Sequence, residues 1–117
     1  MTPQASPDGP PGDVSVLLEP EYTLIMLAGD IDLAVVDDLE FAGRDAIDIG
    51  LPIVADVRRV TSMDSVGVSF LVRLAAGLAD RGLSTTLRGP SPRVQELMTL
   101  IGAAGMVQWE DGPPTGQ

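Results

Sequence analysis

A β-branched run, Ile53-Val54-Ala55-Asp56-Val57, gives way after a polar turn to a segment whose apolar positions recur at helical spacing. That change of pattern constrains the fold more than any other feature of the chain. A short β-branched run suits a buried strand and a period of 3.6 suits a helix. Phe70, Leu71, Leu74, Ala75 and Leu78 fit the helical period, and Gly82 ends the segment. Leu83 to Leu87 is then predicted as a further strand, closed by Gly89-Pro90. A strand, a crossing helix and a second strand make a parallel unit, with Asp64-Ser65 in the turn that starts the helix.

The flanking chain extends this unit at both ends. Asp13 to Leu18 and Tyr22 to Ala28 read as two strands around Glu19-Pro20-Glu21, which predicts an antiparallel hairpin. Gly29-Asp30-Ile31-Asp32 ends the second strand and offers acidic caps for a helix over Leu33 to Ile49. Gly50 suits the position just past that helix, and Pro52 cannot continue it. Ser91-Pro92 predicts another helix start, with Val94, Leu97, Met98 and Ile101 on one face and Gly102 as the stop. Met106 to Trp109 is a short closing strand. The predicted order is β-β-α-β-α-β-α-β, a largely parallel sheet with right-handed crossovers and one antiparallel edge.

Pro3, Pro7, Pro10, Pro11, Gly9 and Gly12 leave residues 1–12 with almost nothing apolar, which predicts a disordered tail. Residues 110–117 repeat the pattern with Gly112-Pro113-Pro114. The folded unit is therefore expected over residues 13–109, one domain with one core. Aromatics are 3% of the chain against 44% hydrophobic residues in all, so that core must be aliphatic.

Charge and missing residue types exclude whole classes of chemistry. The net charge is −10, and all seven basic residues are Arg. Nucleic acid and anionic membranes are poor partners for such a chain, and a basic face is the electrostatic match. Without Cys or His there is no disulfide, thiol catalysis, usual zinc site or Ser-His-Asp triad. No cofactor is indicated. No signal peptide is read at the N-terminus, and no run approaches the ~20 apolar residues of a spanning helix. A soluble cytoplasmic protein is expected.

Ser65 supports two readings. It can be an ordinary capping serine, or it can accept a phosphate that the helix dipole and free backbone N–H groups would tolerate. A phosphate there would add about −1.5 to −2 charge beside Asp64 and repel a docked partner without disturbing the fold. Asp64 can be a cap or a general base, or can orient a kinase's machinery. Thr61-x-x-Asp64 loosely matches a capping box, with Thr61 and Ser62 as alternative hydroxyls. Gly67 would let another backbone approach the first turn, at a helix cost of about 1 kcal/mol. Asp30 and Asp32 can be solvated turn residues or a carboxylate pair for acid–base or metal chemistry. Arg58 and Arg59 read as exposed residues closing a strand, and Trp109 as cover for a sheet edge.

Taken in order, Gly29-Asp30-Ile31-Asp32, Val54-Ala55-Asp56-Val57 leading to Met63-Asp64-Ser65-Val66-Gly67, and Ser91-Pro92-Arg93-Val94 resemble the STAS-domain anti-sigma factor antagonists of bacterial partner-switching systems. The resemblance covers residues 13–109. It implies about five strands in a mixed sheet with helices mainly on one face. It also implies binding to an anti-sigma factor that is a serine kinase, release of the sigma factor, and no enzymatic activity of its own. By position the kinase would phosphorylate Ser65, and a serine phosphatase would restore it. The implied docking surface takes in Gly29, Asp30, Asp32, Leu33, Asp64, Ser65, Val66 and Gly67. Many members of the family carry Ser or Thr where Val66 stands. A constitutive STAS subunit of a larger assembly or transport complex, without a phospho-switch, is the alternative.

Overall fold

Five strands form a single sheet in the order β1-β2-β3-β4-β5 in the computed structural model, which describes residues 10–110. The elements are β1 (Asp13–Leu18), β2 (Thr23–Ile31), α1 (Val36–Ile49), β3 (Ile53–Met63), α2 (Ser65–Ala79), β4 (Thr85–Arg88), α3 (Pro92–Leu100) and β5 (Gln108–Glu110). Single turns of 3-10 helix precede α1 at Leu33–Val35 and β5 at Ala104–Met106. Strands β1 and β2 pair antiparallel, and every later pair is parallel. Each crossover from β2 onward steps one strand in the same direction. Right-handed connections therefore place all three helices on one face, as the family resemblance implies.

Local chemistry sets the element ends. Glu19 N–H donates to the Tyr22 carbonyl at 3.0 Å and closes the hairpin turn. Gly50 takes the left-handed conformation (φ 84°) that ends α1, and its N–H donates to Ile47 O. Ser91 Oγ accepts the Val94 N–H at 3.2 Å, with Pro92 in the first turn of α3.

The core lies between the sheet and the helices. Ile25, Leu27, Ile53, Ala55 and Leu87 meet Leu39, Ala46, Leu71, Leu74, Leu78 and Met98 there. Burying each large aliphatic side chain stabilises by about 1.5–3 kcal/mol, so this layer holds the helices in place without aromatic help beyond Phe70. Helices α1 and α2 approach closely through two glycines. A Cβ at Gly43 would lie 3.0 Å from Phe70 Cε1, and one at Gly77 would lie 2.9 Å from Ile47 Cδ1.

Three expectations change. The strand predicted over Ile53 to Val57 continues through Arg58-Arg59-Val60-Thr61-Ser62 to Met63. Likewise β2 runs past Gly29 to Ile31, pairing Gly29 with Val60, Asp30 with Ser62 and Ile31 with Met63 across two register shifts. The polar residues that read as a turn are a strand end, exposed rather than looped. Arg58 does not simply close a strand; it is ion-paired with Asp56 at 2.7 Å.

The boundaries of the folded unit also move outward. Pro11 bridges to Asp30, whose N–H donates to Pro10 O at 3.1 Å, and Glu110 belongs to β5. The remainder of the expected tails, residues 1–9 and 111–117, lies outside the described residues. Trp109 sits on the edge strand, its indole N–H donating to Ala104 O. No helix among the described residues is long and apolar enough to cross a membrane.

Candidate functional site

The parallel pairing of β2 with β3 brings their C-terminal ends level. Ile31 stands opposite Met63, and the Asp64 N–H donates to Ile31 O at 3.3 Å. Each strand is followed by an aspartate that starts a helical segment. Asp32 Oδ1 accepts the Ala34 N–H at 3.0 Å, and Asp64 Oδ1 accepts the Val66 N–H at 2.8 Å. Both aspartates have extended backbone, as N-cap residues do. Two capped helix starts thus lie side by side at one end of the sheet.

This arrangement assigns the cap at the start of α2. Asp64 is the cap of α2, and Ser65 is the first residue of the helix proper. Its side chain is exposed, and its hydroxyl makes no hydrogen bond among the described residues. The capping-serine reading is therefore replaced by a free hydroxyl at a helix N-terminus, where dipole and backbone donors favour an anion. The Thr61-x-x-Asp64 capping box does not form. Thr61 Oγ1 instead donates to Asp30 Oδ1 at 2.6 Å, and Ser62 Oγ donates to the same oxygen at 2.9 Å.

Asp30 and Asp32 do not make a carboxylate pair. One ties β2 to β3 through the two hydroxyls, and the other caps the 3-10 turn. No group of three or more acidic side chains suited to a metal ion occurs among the described residues.

The remaining docking candidates divide by exposure. Leu33 projects from the 3-10 turn at 70% exposure, an apolar side chain that the described residues leave uncovered. Asp64 is exposed, while Asp30, Asp32 and Val66 are half-buried. Gly29 and Gly67 are buried and offer no docking surface; they shape the site from within. Gly29, at φ 74°, would place a Cβ 2.3 Å from Pro11 O, so only glycine lets the N-terminal strap lie on β2. A Cβ at Gly67 would lie 2.4 Å from Met63 Cγ and 2.9 Å from Ile31 Cγ2. The neighbours of Gly67 are these side chains, not another backbone.

Sequence reasoning missed the Thr61 and Ser62 contacts to Asp30 and the strap at Pro10–Gly12. The first depends on the β2–β3 register, shifted twice by bulges, which local pattern does not carry. A signal did exist for the paired caps, since Ile31-Asp32-Leu33 and Met63-Asp64-Ser65 each set an aspartate after a buried residue that ends a strand.

The sequence model of the family described as Mlab, STAS domain matches residues 14–108. Among solved structures, the chain is similar to the anti-sigma factor antagonist SpoIIAA in its unphosphorylated form, at 22% identity and a TM-score of 0.71 over 85% of this chain and 88% of that one. It is similar to the Bacillus cell fate determinant SpoIIAA in the phosphorylated form, at 23% identity and a TM-score of 0.68 over 83% and 90%. An anti-sigma factor antagonist from Mycobacterium paratuberculosis is similar at 24% identity and a TM-score of 0.71 over 96% and 92%. At these identities the likeness is one of fold. No curated protein matches the chain.

Proposed function

The chain belongs to the STAS domain family, and from that premise we propose that it is an anti-sigma factor antagonist switched off by phosphorylation of Ser65. One observation carries the reading: Ser65 presents an exposed, unengaged hydroxyl at the start of α2, immediately behind an aspartate that already caps the helix. The cap does not depend on the serine, so its hydroxyl can be modified without dismantling the helix start.

In this reading the partner is a serine-kinase anti-sigma factor, and a serine phosphatase reverses the modification. The unmodified protein docks through Asp30, Asp32, Leu33, Asp64, Ser65 and Val66, with Leu33 as the apolar anchor. A phosphate would bring about −1.5 to −2 charge to an end of the sheet that already holds three aspartates, Asp30, Asp32 and Asp64. Electrostatics and desolvation then oppose docking while the fold stays intact. The protein is a substrate and a binding partner, and catalysis belongs to the kinase. A cytoplasmic location follows from that partnership.

The test is binding to a kinase-type anti-sigma factor measured for Ser65→Ala and Ser65→Asp. Ser65→Ala should bind like the wild type, and Ser65→Asp at least tenfold more weakly. Equal affinity of both variants would sink the switch. Binding with no phosphate on protein purified from its own cells under any growth condition would favour a constitutive STAS subunit instead.

A further inference from the structure

Helices α1 and α2 enclose a groove of about 250 Å³, lined from the middle of α1 and from Phe70, Arg73 and Leu74 of α2. Its floor is apolar: Ile47 is half-buried at its surface, and Phe70 and Leu74 lie beneath at 3% and 2% exposure. A Cβ at Gly43 would come within 3.0 Å of Phe70 Cε1. The walls carry Arg44 and Arg73. Arg73 reaches Glu40 at only 3.6 Å, with both side chains about half exposed, and Arg44 has no carboxylate partner among the described residues. In a chain of net charge −10 with seven arginines, two of them flank one apolar floor.

We propose that this groove binds a small amphipathic carboxylate, with its apolar body on the Phe70–Leu74–Ile47 floor and its carboxylate between Arg44 and Arg73. The charge pattern selects the class. Surface ion pairs such as Arg73–Glu40 are worth only about 0–1 kcal/mol, so an incoming carboxylate displaces Glu40 at little cost. Arginine's planar donor fork suits a carboxylate, which it can hold through two hydrogen bonds. The volume limits the size. Small-molecule sites usually enclose about 300–1,000 Å³, so a short chain fits and a nucleotide-sized ligand does not. The close contacts at Gly43 and Gly77 fix the spacing of the two helices, so the groove is preformed.

The site is independent of the Ser65 reading. Octanoate below its aggregation threshold, titrated into the full-length chain and followed by amide chemical shifts, is the direct test. Saturable shifts confined to residues 40–47 and 70–74 are expected, weakened at least fivefold by Arg44→Glu or Arg73→Glu. Gly43→Ser should also weaken them, while Arg93→Glu, an exposed charge reversal on α3, should not. Octanol should bind at least fivefold more weakly than octanoate. No saturable shift, shifts spread over the exposed Leu100, Ile101 and Trp109, equal binding of octanol, or an equal loss with Arg93→Glu would each overturn the proposal.

Discussion

Asp30 Oδ1 lies 2.6 Å from Thr61 Oγ1, a contact between residues 31 apart that fastens the end of β2 to the end of β3 just before the Asp64-Ser65 turn. Ser62 Oγ donates to the same oxygen. Ile31 and Met63, paired at these same strand ends, are buried in the core, so the hydrogen bonds add a polar cross-link beside that packing. A double-mutant cycle of Asp30→Ala and Thr61→Val should give a coupling of about 0.5–1.5 kcal/mol, typical of a net hydrogen bond to a charged acceptor near water. Additive effects in urea denaturation would mean that the contact carries no energy.

The division of labour between Asp64 and Ser65 predicts opposite sensitivities. Asp64→Ala removes the acceptor for the Val66 N–H and should destabilise the fold by about 1 kcal/mol. Ser65→Ala removes no hydrogen bond within the described residues and should stay within about 0.5 kcal/mol of the wild type. Chemical denaturation of the two variants settles the point. A larger loss for Ser65→Ala would return the capping role to the serine.

How far the sequence reached can be followed along these same residues. The end of the helix expected over Leu33 to Ile49 and the start of the one after Ser91 are readable because their signals are local, Gly50 at φ 84° and Ser91 bonded to the Val94 N–H; Leu33–Val35, expected within the first helix, is a separate 3-10 turn. The stretch from Val60 to Ser62 reads as a polar turn, because polarity reports exposure and not backbone direction. Its strand character comes from pairing with Ala28 to Ile31, a non-local partner. The same dependence hid the Asp30 contacts. Ser65 was legible as a site residue, but whether its hydroxyl or Asp64 caps the helix is decided by a geometry that neighbouring residue types leave open.

Gly67 sets two effects of similar size against each other. In an unconstrained helix, replacing glycine with alanine gains about 1 kcal/mol. Here the new Cβ would stand 2.4 Å from Met63 Cγ and 2.9 Å from Ile31 Cγ2, both on buried residues. Overpacking of that kind costs about 1–3 kcal/mol and should win. Gly67→Ala is therefore expected to melt several degrees below the wild type, at about 4–8 °C per kcal/mol for a domain of this size. A higher melting temperature would show that Met63 moves aside and that the first turn of α2 is not tightly seated.

Asp56 makes the acid limb of the stability curve predictable. It is 4% exposed on β3, and burial alone would push its pKa up. Hydrogen bonds from the Arg58 guanidinium, at 2.7 and 3.1 Å, and from the Arg58 backbone N–H outweigh that, with the Arg58 and Arg88 charges adding to them. The net direction is downward. A carboxyl that is harder to protonate when folded leaves the unfolded chain binding more protons in acid. Its contribution is then complete above the unfolded value of about 4 and is lost as pH falls below it, through the lower folded value. Asp56→Asn should therefore be less stable than the wild type at pH 7, by roughly 1–3 kcal/mol for a buried partner of a charged donor. The gap should narrow as pH drops from about 4 toward 2. Urea denaturation of both proteins across that range makes the comparison, and a gap that stays constant with pH would show that the Asp56–Arg58 pair has no part in acid unfolding.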